Sequence, residues 1–289
     1  MPSQRALARG FAALVALIES LIVLGAMVRA HSAGLACPDW PLCFGELVPE
    51  MNLRVAFEYS HRVVAGSVAL CFAGLSLAAW RGGASRRVRR LILVGALVLA
   101  TQILLGALTV WKLLASWTVT SHLLTGNAFA LCALYVACAL REGEPRPTAT
   151  PSALRWLAPA ALLLLLQMIL GGLVSSGYAG LACPEWPTCN GGVWFPTWRG
   201  AVGLHLLHRS NGYLLLLVLC AAALALRRDP RVGHAAALAA GLAVAQVAAG
   251  IANVRLGIPV EITGLHSLLA ALLVLTVGWS VRESWLART

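Results

Sequence analysis

The chain has 289 residues, 60% of them hydrophobic and only 11% charged, with a mean hydropathy of +0.81 and a formal net charge of +11. That balance excludes a soluble globular domain. The excess positive charge is spread along the chain rather than gathered into a basic patch, which also excludes a nucleic-acid-binding surface.

Apolar runs long enough to cross roughly 30 Å of hydrocarbon, about 20 residues each, recur along the whole chain. Eight are predicted, at about 11–30, 56–80, 89–111, 118–140, 153–175, 201–226, 233–253 and 263–281. The first follows Arg5 and Arg9 as a signal peptide would, but its length and its counterpart at 153–175 favour a retained span. An all-α integral membrane protein of eight transmembrane helices is therefore expected. Arg5, Arg9, Arg81, Arg86, Arg87, Arg89, Arg90, Arg141, Arg146, Arg155, Arg227, Arg228, Arg231, Arg282 and Arg288 all fall on one side, and only Arg29, Arg54, Lys112, Arg199 and Arg255 on the other. By the positive-inside rule both termini are cytoplasmic, in the inner (plasma) membrane of a bacterial cell, and basic loops facing anionic lipid account for the net charge.

The two longest outer loops, about 31–55 and 176–200, carry the same segment: "GLACPDWPLC" from Gly34 to Cys43 and "GLACPEWPTC" from Gly180 to Cys189. On an oxidising side such thiols persist as disulfides, and the pairing Cys37–Cys43 with Cys183–Cys189 is expected among the three connectivities that four cysteines allow. Each ring is either a structural staple or a redox-active pair, because a short, exposed, Pro-constrained ring is easier to reduce. Cys71, Cys132, Cys138 and Cys220 lie inside apolar spans, where packing is their expected role.

The repeat extends beyond the cysteines. "EYSHRVVAG" (Glu58 to Gly66) aligns with "HLLHRSNGY" (His205 to Tyr213), "TSHLL" from Thr120 with "GLHSL" from Gly264, and Gln102 with Gln246. Four spans separate the copies, so the halves insert with one orientation as two parallel-related four-helix bundles. The expected division is 1–140, a polar linker at 141–152, and 153–289.

Five histidines, His61, His122, His205, His208 and His266, fall one to two turns inside the outer ends of the even-numbered spans, whereas His31 and His234 sit at loop edges. Ionisable groups inside a bilayer are costly and mark function by default. An imidazole from each of two facing helices can occupy the two axial positions of a heme iron, which pairs His61 with His122 and His208 with His266. Zinc or copper fits less well, since no carboxylate or thiolate completes a tetrahedral shell at this depth in both halves. Arg62 and Arg209 are placed either to pair with a heme propionate or to snorkel toward headgroups. Glu58 lies one turn from His61 on the same helix face, where the second half has His205. That difference marks the first half as the reacting site and the second as an electron-transfer site.

Taken together, "CPDWPLC" in the first outer loop, "EYSHR" in the second span, a His in the fourth, "HR" in the sixth and "LHS" in the eighth resemble the heme A synthase family over nearly the whole chain. The resemblance implies that heme O is the substrate, its C8 methyl being oxidised to a formyl group for cytochrome oxidase, with water as the oxygen source. It implies that His61 and His122 flank the substrate heme, that His208 and His266 ligate a resident heme b, and that Glu58 is the catalytic carboxylate. Heme O synthase and cytochrome oxidase assembly factors are the implied partners, and a homo-oligomer is allowed. His205 has no family role to take over. A di-heme b-type electron carrier between quinol and an outer acceptor would use the same four histidines but not Glu58 in one half only. A membrane thiol oxidoreductase would explain the cysteines but not the histidine depth, and a transporter would need broken helices at the midplane.

Overall fold

The computed structural model describes residues 3–141, 148–150 and 152–287. Most of the expected linker, 142–147 and 151, lies outside the described residues, as do Arg146, Arg288 and the C-terminal Thr289. Eight helices follow in order: α1 (Gln4–Ala30), α2 (Leu53–Arg81), α3 (Arg86–Trp111), α4 (Ser116–Ala139), α5 (Ala153–Ser176), α6 (Gly200–Leu226), α7 (Gly233–Arg255) and α8 (Val260–Leu286). All eight are long and apolar enough to cross a membrane.

The helices overrun the apolar stretches at several ends, because helix termini are fixed by capping rather than by hydropathy. Ser3 Oγ accepts the Ala6 N–H at 3.2 Å, and Asn52 Oδ1 accepts those of Arg54 and Val55 at 3.1 Å each. The extension of α8 past 281 carries Arg282 and Glu283 inside: Glu283 is paired with Arg282 and accepts from Arg231 Nε at 2.7 Å. A charged helix end is tolerated there because its charges are matched.

The chain divides into two compact units, Met1–Pro145 and Arg146–Thr289. In the first, α1 packs against α2 and α4, and α3 packs against α4, but α2 scarcely touches α3. Leu70 on α2 and Leu97 on α3 are 76% and 69% exposed. In the second, α5–α6, α6–α7, α7–α8 and α5–α8 all pack, closing the ring. Alanine and glycine at positions 233, 236, 239, 243 and 249 form the buried face of α7, and such small side chains let helix backbones approach closely in a bilayer.

The end of each unit away from its cysteine loop is filled by apolar side chains. Phe11, Phe72 and Phe129 meet edge to face, with centroids 6.2 and 5.1 Å apart, and Gly95 leaves room for the Phe72 ring. The positions matching these in the repeat are Leu157, Leu219 and Leu273, all fully buried. These plugs leave the histidine layer nearer the loop end. Cys71 is exposed on α2 rather than packed; Cys132, Cys138 and Cys220 are partly buried.

Candidate functional site

His61 lies eight residues into α2 and His208 eight into α6; His122 and His266 lie six residues into α4 and α8. At 1.5 Å per residue these are depths of about 12 and 9 Å below the loop-side helix ends. Within each unit the two histidine-bearing helices do not pack on each other but sit diagonally, separated by the helices between them. The repeat pairs the imidazoles across each diagonal, His61 with His122 and His208 with His266.

Each imidazole is seated against a glycine of the preceding helix. A Cβ added at Gly25, Gly106, Gly171 or Gly250 would stand 3.1, 3.2, 3.1 or 3.3 Å from the Cε1 of His61, His122, His208 or His266. Any side chain there would press on the ring, so the absence of a Cβ at these four positions sets the imidazole orientation. The Nδ1 atoms of His61, His122 and His266 are buried with no hydrogen-bond partner. On the Nδ1 side, packing rather than hydrogen bonding holds these three rings.

Four residues before three of the glycines stands a glutamine. Gln102 Nε2 approaches His122 Nε2 at 3.4 Å, and its Oε1 accepts from Thr125. Gln167 Nε2 lies 3.2 Å from His208 Nδ1 while its Oε1 accepts the Asn211 amide at 2.8 Å. Gln246 is the third, and Leu21 occupies the matching position four residues before Gly25. The site that lacks the amide is in the unit that carries Glu58.

The cysteine loops are built alike. Both disulfides form as expected, Cys37–Cys43 and Cys183–Cys189, with S–S 1.99 and 2.06 Å. Contrary to an exposed ring, all four cysteines are at most 1% exposed. Asp39 accepts the N–H groups of Phe44 and Gly45 at 2.7 Å each, and Glu185 those of Gly191 and Gly192 at 2.9 and 3.0 Å. The Gly45 N–H is the foremost of the contacts holding the Asp39 carboxyl below its ordinary range, and the Gly192 N–H does the same for Glu185.

An arginine then fastens each loop to its helix. Arg62 donates to the carbonyls of Asp39 at 2.6 Å, Leu42 at 2.5 Å and Cys37 at 3.1 Å, and to Glu58 Oε1 at 2.6 Å. Arg209 donates to the carbonyls of Thr188 at 3.0 Å, Cys183 at 2.6 Å and Glu185 at 2.9 Å, and to His205 Nε2 at 3.2 Å. Glu58, 5% exposed, also accepts the Cys37 N–H through Oε2 at 2.9 Å. His205 Nδ1 lies 3.0 Å from the Ala179 carbonyl oxygen, which fixes it as the N–H donor of the ring. His205 thus takes the place of Glu58 as a partner of the loop arginine, and His208, not His205, shares the glycine-backed environment of the other three histidines. The sequence reading missed this arginine clamp and the glycine seats; the shared acid of the hexads and the Gln-x-x-x-Gly spacing were the available signals.

The residues present fit a planar, iron-centred macrocycle. Two imidazoles stand on diagonal helices of each unit, and no cluster of three or more His, Cys, Asp or Glu able to hold a bare metal ion occurs among the described residues. Paired imidazoles suffice for an iron whose other four positions are filled by a porphyrin. Fold and site together define a multi-pass membrane protein with two imidazole-pair sites, each capped by a disulfide loop. A family profile described as cytochrome oxidase assembly protein matches residues 9–277. A heme A synthase of Shewanella oneidensis is 30% identical over 89% of this chain and 90% of its own length. One from Halalkalibacterium halodurans is 30% identical over 91% and 93%. A protoheme IX farnesyltransferase of Halobacterium salinarum is 33% identical over 45% of this chain and 32% of its own. The chain belongs to the cytochrome oxidase assembly protein family.

Proposed function

We propose that this protein is a heme A synthase, oxidising the C8 methyl of heme O to a formyl group in the first unit, between His61 and His122. The observation that supports this reading most is the asymmetry of otherwise matched units: Glu58 beside His61 where the second unit has His205, in the unit whose α2–α3 seam is open. An open seam suits a ligand that must enter and leave, and a closed ring suits one that stays.

His208 and His266 would hold heme b, which when bound supplies a one-electron redox centre. The remaining work belongs to the chain. His61 and His122, oriented by Gly25 and Gly106, hold the substrate; the phenylalanine plug and the cysteine loop keep water from it at either end. Converting the methyl group to a formyl group with oxygen from water releases four electrons, which would pass to an electron acceptor outside the chain, and four protons; the Glu58 carboxylate would stabilise the positive charge that builds on the carbon or take a proton from the attacking water. Water is the proposed oxygen source. Arg62, whose bonds go to Glu58 and the loop, positions the carboxylate. Heme O synthase is the proposed donor and cytochrome oxidase assembly factors the recipients, with both termini cytoplasmic and the cysteine loops outside. Extraction of pigment from the purified protein tests the reading: heme B with heme O or heme A is expected, and heme B alone would instead support a di-heme electron carrier.

A further inference from the structure

Two buried side chains of the first unit hold oxygens that no donor satisfies. Glu19 on α1 is 6% exposed, and neither of its carboxyl oxygens has a hydrogen-bond partner among the described residues. Asn127 on α4 is 4% exposed; its amide N–H₂ donates to the Leu123 carbonyl at 2.9 Å, but its Oδ1 accepts nothing.

The packing of α1 on α4 sets the two at one level. Ala12 of α1 and Leu134 of α4 line the same cavity, at the end away from the cysteine loop. Seven residues nearer the loop on each helix, about two turns along the same face, stand Glu19 and Asn127. Each is also eleven residues, about 16 Å, from the loop-side end of its helix, Ala30 or Ser116. The carboxyl and the amide thus meet across the α1–α4 seam about one turn below the layer of His61 and His122.

The second unit is apolar at the same place. Aligning Gly25 with Gly171 puts Leu165 at the position of Glu19, and aligning His122 with His266 puts Ala271 at that of Asn127. Its own buried amide, Asn211, is engaged, donating to the Leu163 carbonyl at 3.0 Å and to Gln167 Oε1 at 2.8 Å. Buried acceptors without a donor are costly, so a pair of them confined to one unit calls for a group that the other unit's occupant lacks.

We infer that Glu19 and Asn127 recognise the hydroxyl on the side chain of the substrate, an inference that rests on the function proposed above. Heme O differs from heme B at one ring substituent, where a hydroxyl-bearing farnesyl chain replaces a vinyl group. A hydroxyl lying between the two residues donates to Asn127 Oδ1 and accepts from the Glu19 carboxyl in its acid form, the cheaper form for a carboxyl away from water and cations. The vinyl group of heme B would leave both unpaired, which is how a polar site rejects an analogue that lacks its hydroxyl. Leu165 and Ala271 suit the vinyl group of a resident heme b.

The test offers the purified full chain equal amounts of heme O and heme B in detergent, and chromatography identifies the heme retained beyond the resident one. The wild type is expected to prefer heme O about tenfold or more. Glu19→Leu and Asn127→Leu should each bring the two hemes close to parity. Glu19→Gln, whose amide donates where the acid did, should keep most of the preference, and Ser76→Ala, which removes another buried unpartnered oxygen, should keep all of it. Thermal unfolding followed in parallel should show Glu19→Leu no less stable than the wild type, so that a lost preference is not a lost fold. Heme O preferred as strongly by both leucine variants as by the wild type would overturn the contact. So would a wild type that makes heme A without preferring heme O, since water alone would then occupy the seam. Heme B alone, with no conversion of heme O, would overturn the synthase reading and this inference with it.

Discussion

Glu58→Gln separates the chemistry of the carboxylate from its structural duty. In the wild type one oxygen accepts from Arg62 at 2.6 Å and the other from the Cys37 N–H at 2.9 Å. Glutamine retains one acceptor for the Cys37 N–H but turns its amide N–H₂ toward Arg62, donor against donor. Stranding a buried charge costs about 3–5 kcal/mol when its partner is removed, but Arg62 keeps three carbonyl acceptors in the loop. The cost should therefore be nearer that of one charge-assisted hydrogen bond, about 1.5–3 kcal/mol, and the protein should still insert with its loop closed. Formyl production should fall about 100-fold or more, the scale of a lost general base or electrostatic stabiliser, and heme O or a hydroxylated intermediate should accumulate. Chromatography of hemes extracted from membranes measures this, with Arg62→Gln as the companion that loosens the loop while leaving the carboxylate. Wild-type amounts of heme A in Glu58→Gln would refute the catalytic assignment; equal losses in both variants would reduce Glu58 to a loop anchor.

Three further outcomes are expected. His208→Ala and His266→Ala should each lose the low-spin heme b signal, and Gly171→Val should do the same by displacing the His208 ring, whereas Gly74→Val, which meets nothing within 4 Å, should not; unchanged spectra in both histidine variants would sink the ligand assignment. Because the Asp39 and Glu185 carboxyls are held below their ordinary range, the stability they lend the loops is complete above the unfolded carboxylate pKa of about 4 and is lost as pH falls below it. Amide protection at Phe44 and Gly45, corrected for intrinsic exchange, should thus be flat from pH 8 to 5 and decline only in stronger acid, and a decline centred near pH 6.5 would point to a histidine instead. Finally, Glu19 is 6% exposed on α1 with both carboxyl oxygens unpartnered, while the matching position in α5 is Leu165; Glu19→Leu should raise the thermal midpoint, by on the order of 1–3 kcal/mol in stability, and a lowered midpoint would reveal a partner.

The helices, the two local disulfides and the histidine layer were legible because each rests on a local signal: twenty-residue hydropathy, a six-residue spacing, and a polar residue where none is cheap. Helix ends were less so, since Ser3, Asn52 and the matched pair Arg282–Glu283 extend helices through polar residues. The arginine clamp was hidden because Arg62 meets carbonyls some 20 to 25 positions away, at Asp39, Leu42 and Cys37, whose direction depends on how the loop folds. For the same reason His205 had no readable role until its ring was seen to face Ala179 and Arg209. Gly25, Gly106, Gly171 and Gly250 sit among many small residues in apolar spans, and only the position of the opposing imidazole distinguishes them.

The scant contact between α2 and α3 changes what "solvent" means for the first site. A flat ligand lodged between diagonal helices presents an edge to hydrocarbon through such a slit, so its arrival and departure are movements within a two-dimensional fluid. Under the proposed function, turnover would then depend on how many donor and acceptor molecules share each patch of membrane, not on any aqueous concentration of a poorly soluble pigment. A donor would have only to stand alongside, and the reactive product would never need to be released into water. The second bundle, sealed all round, would keep its occupant out of that traffic.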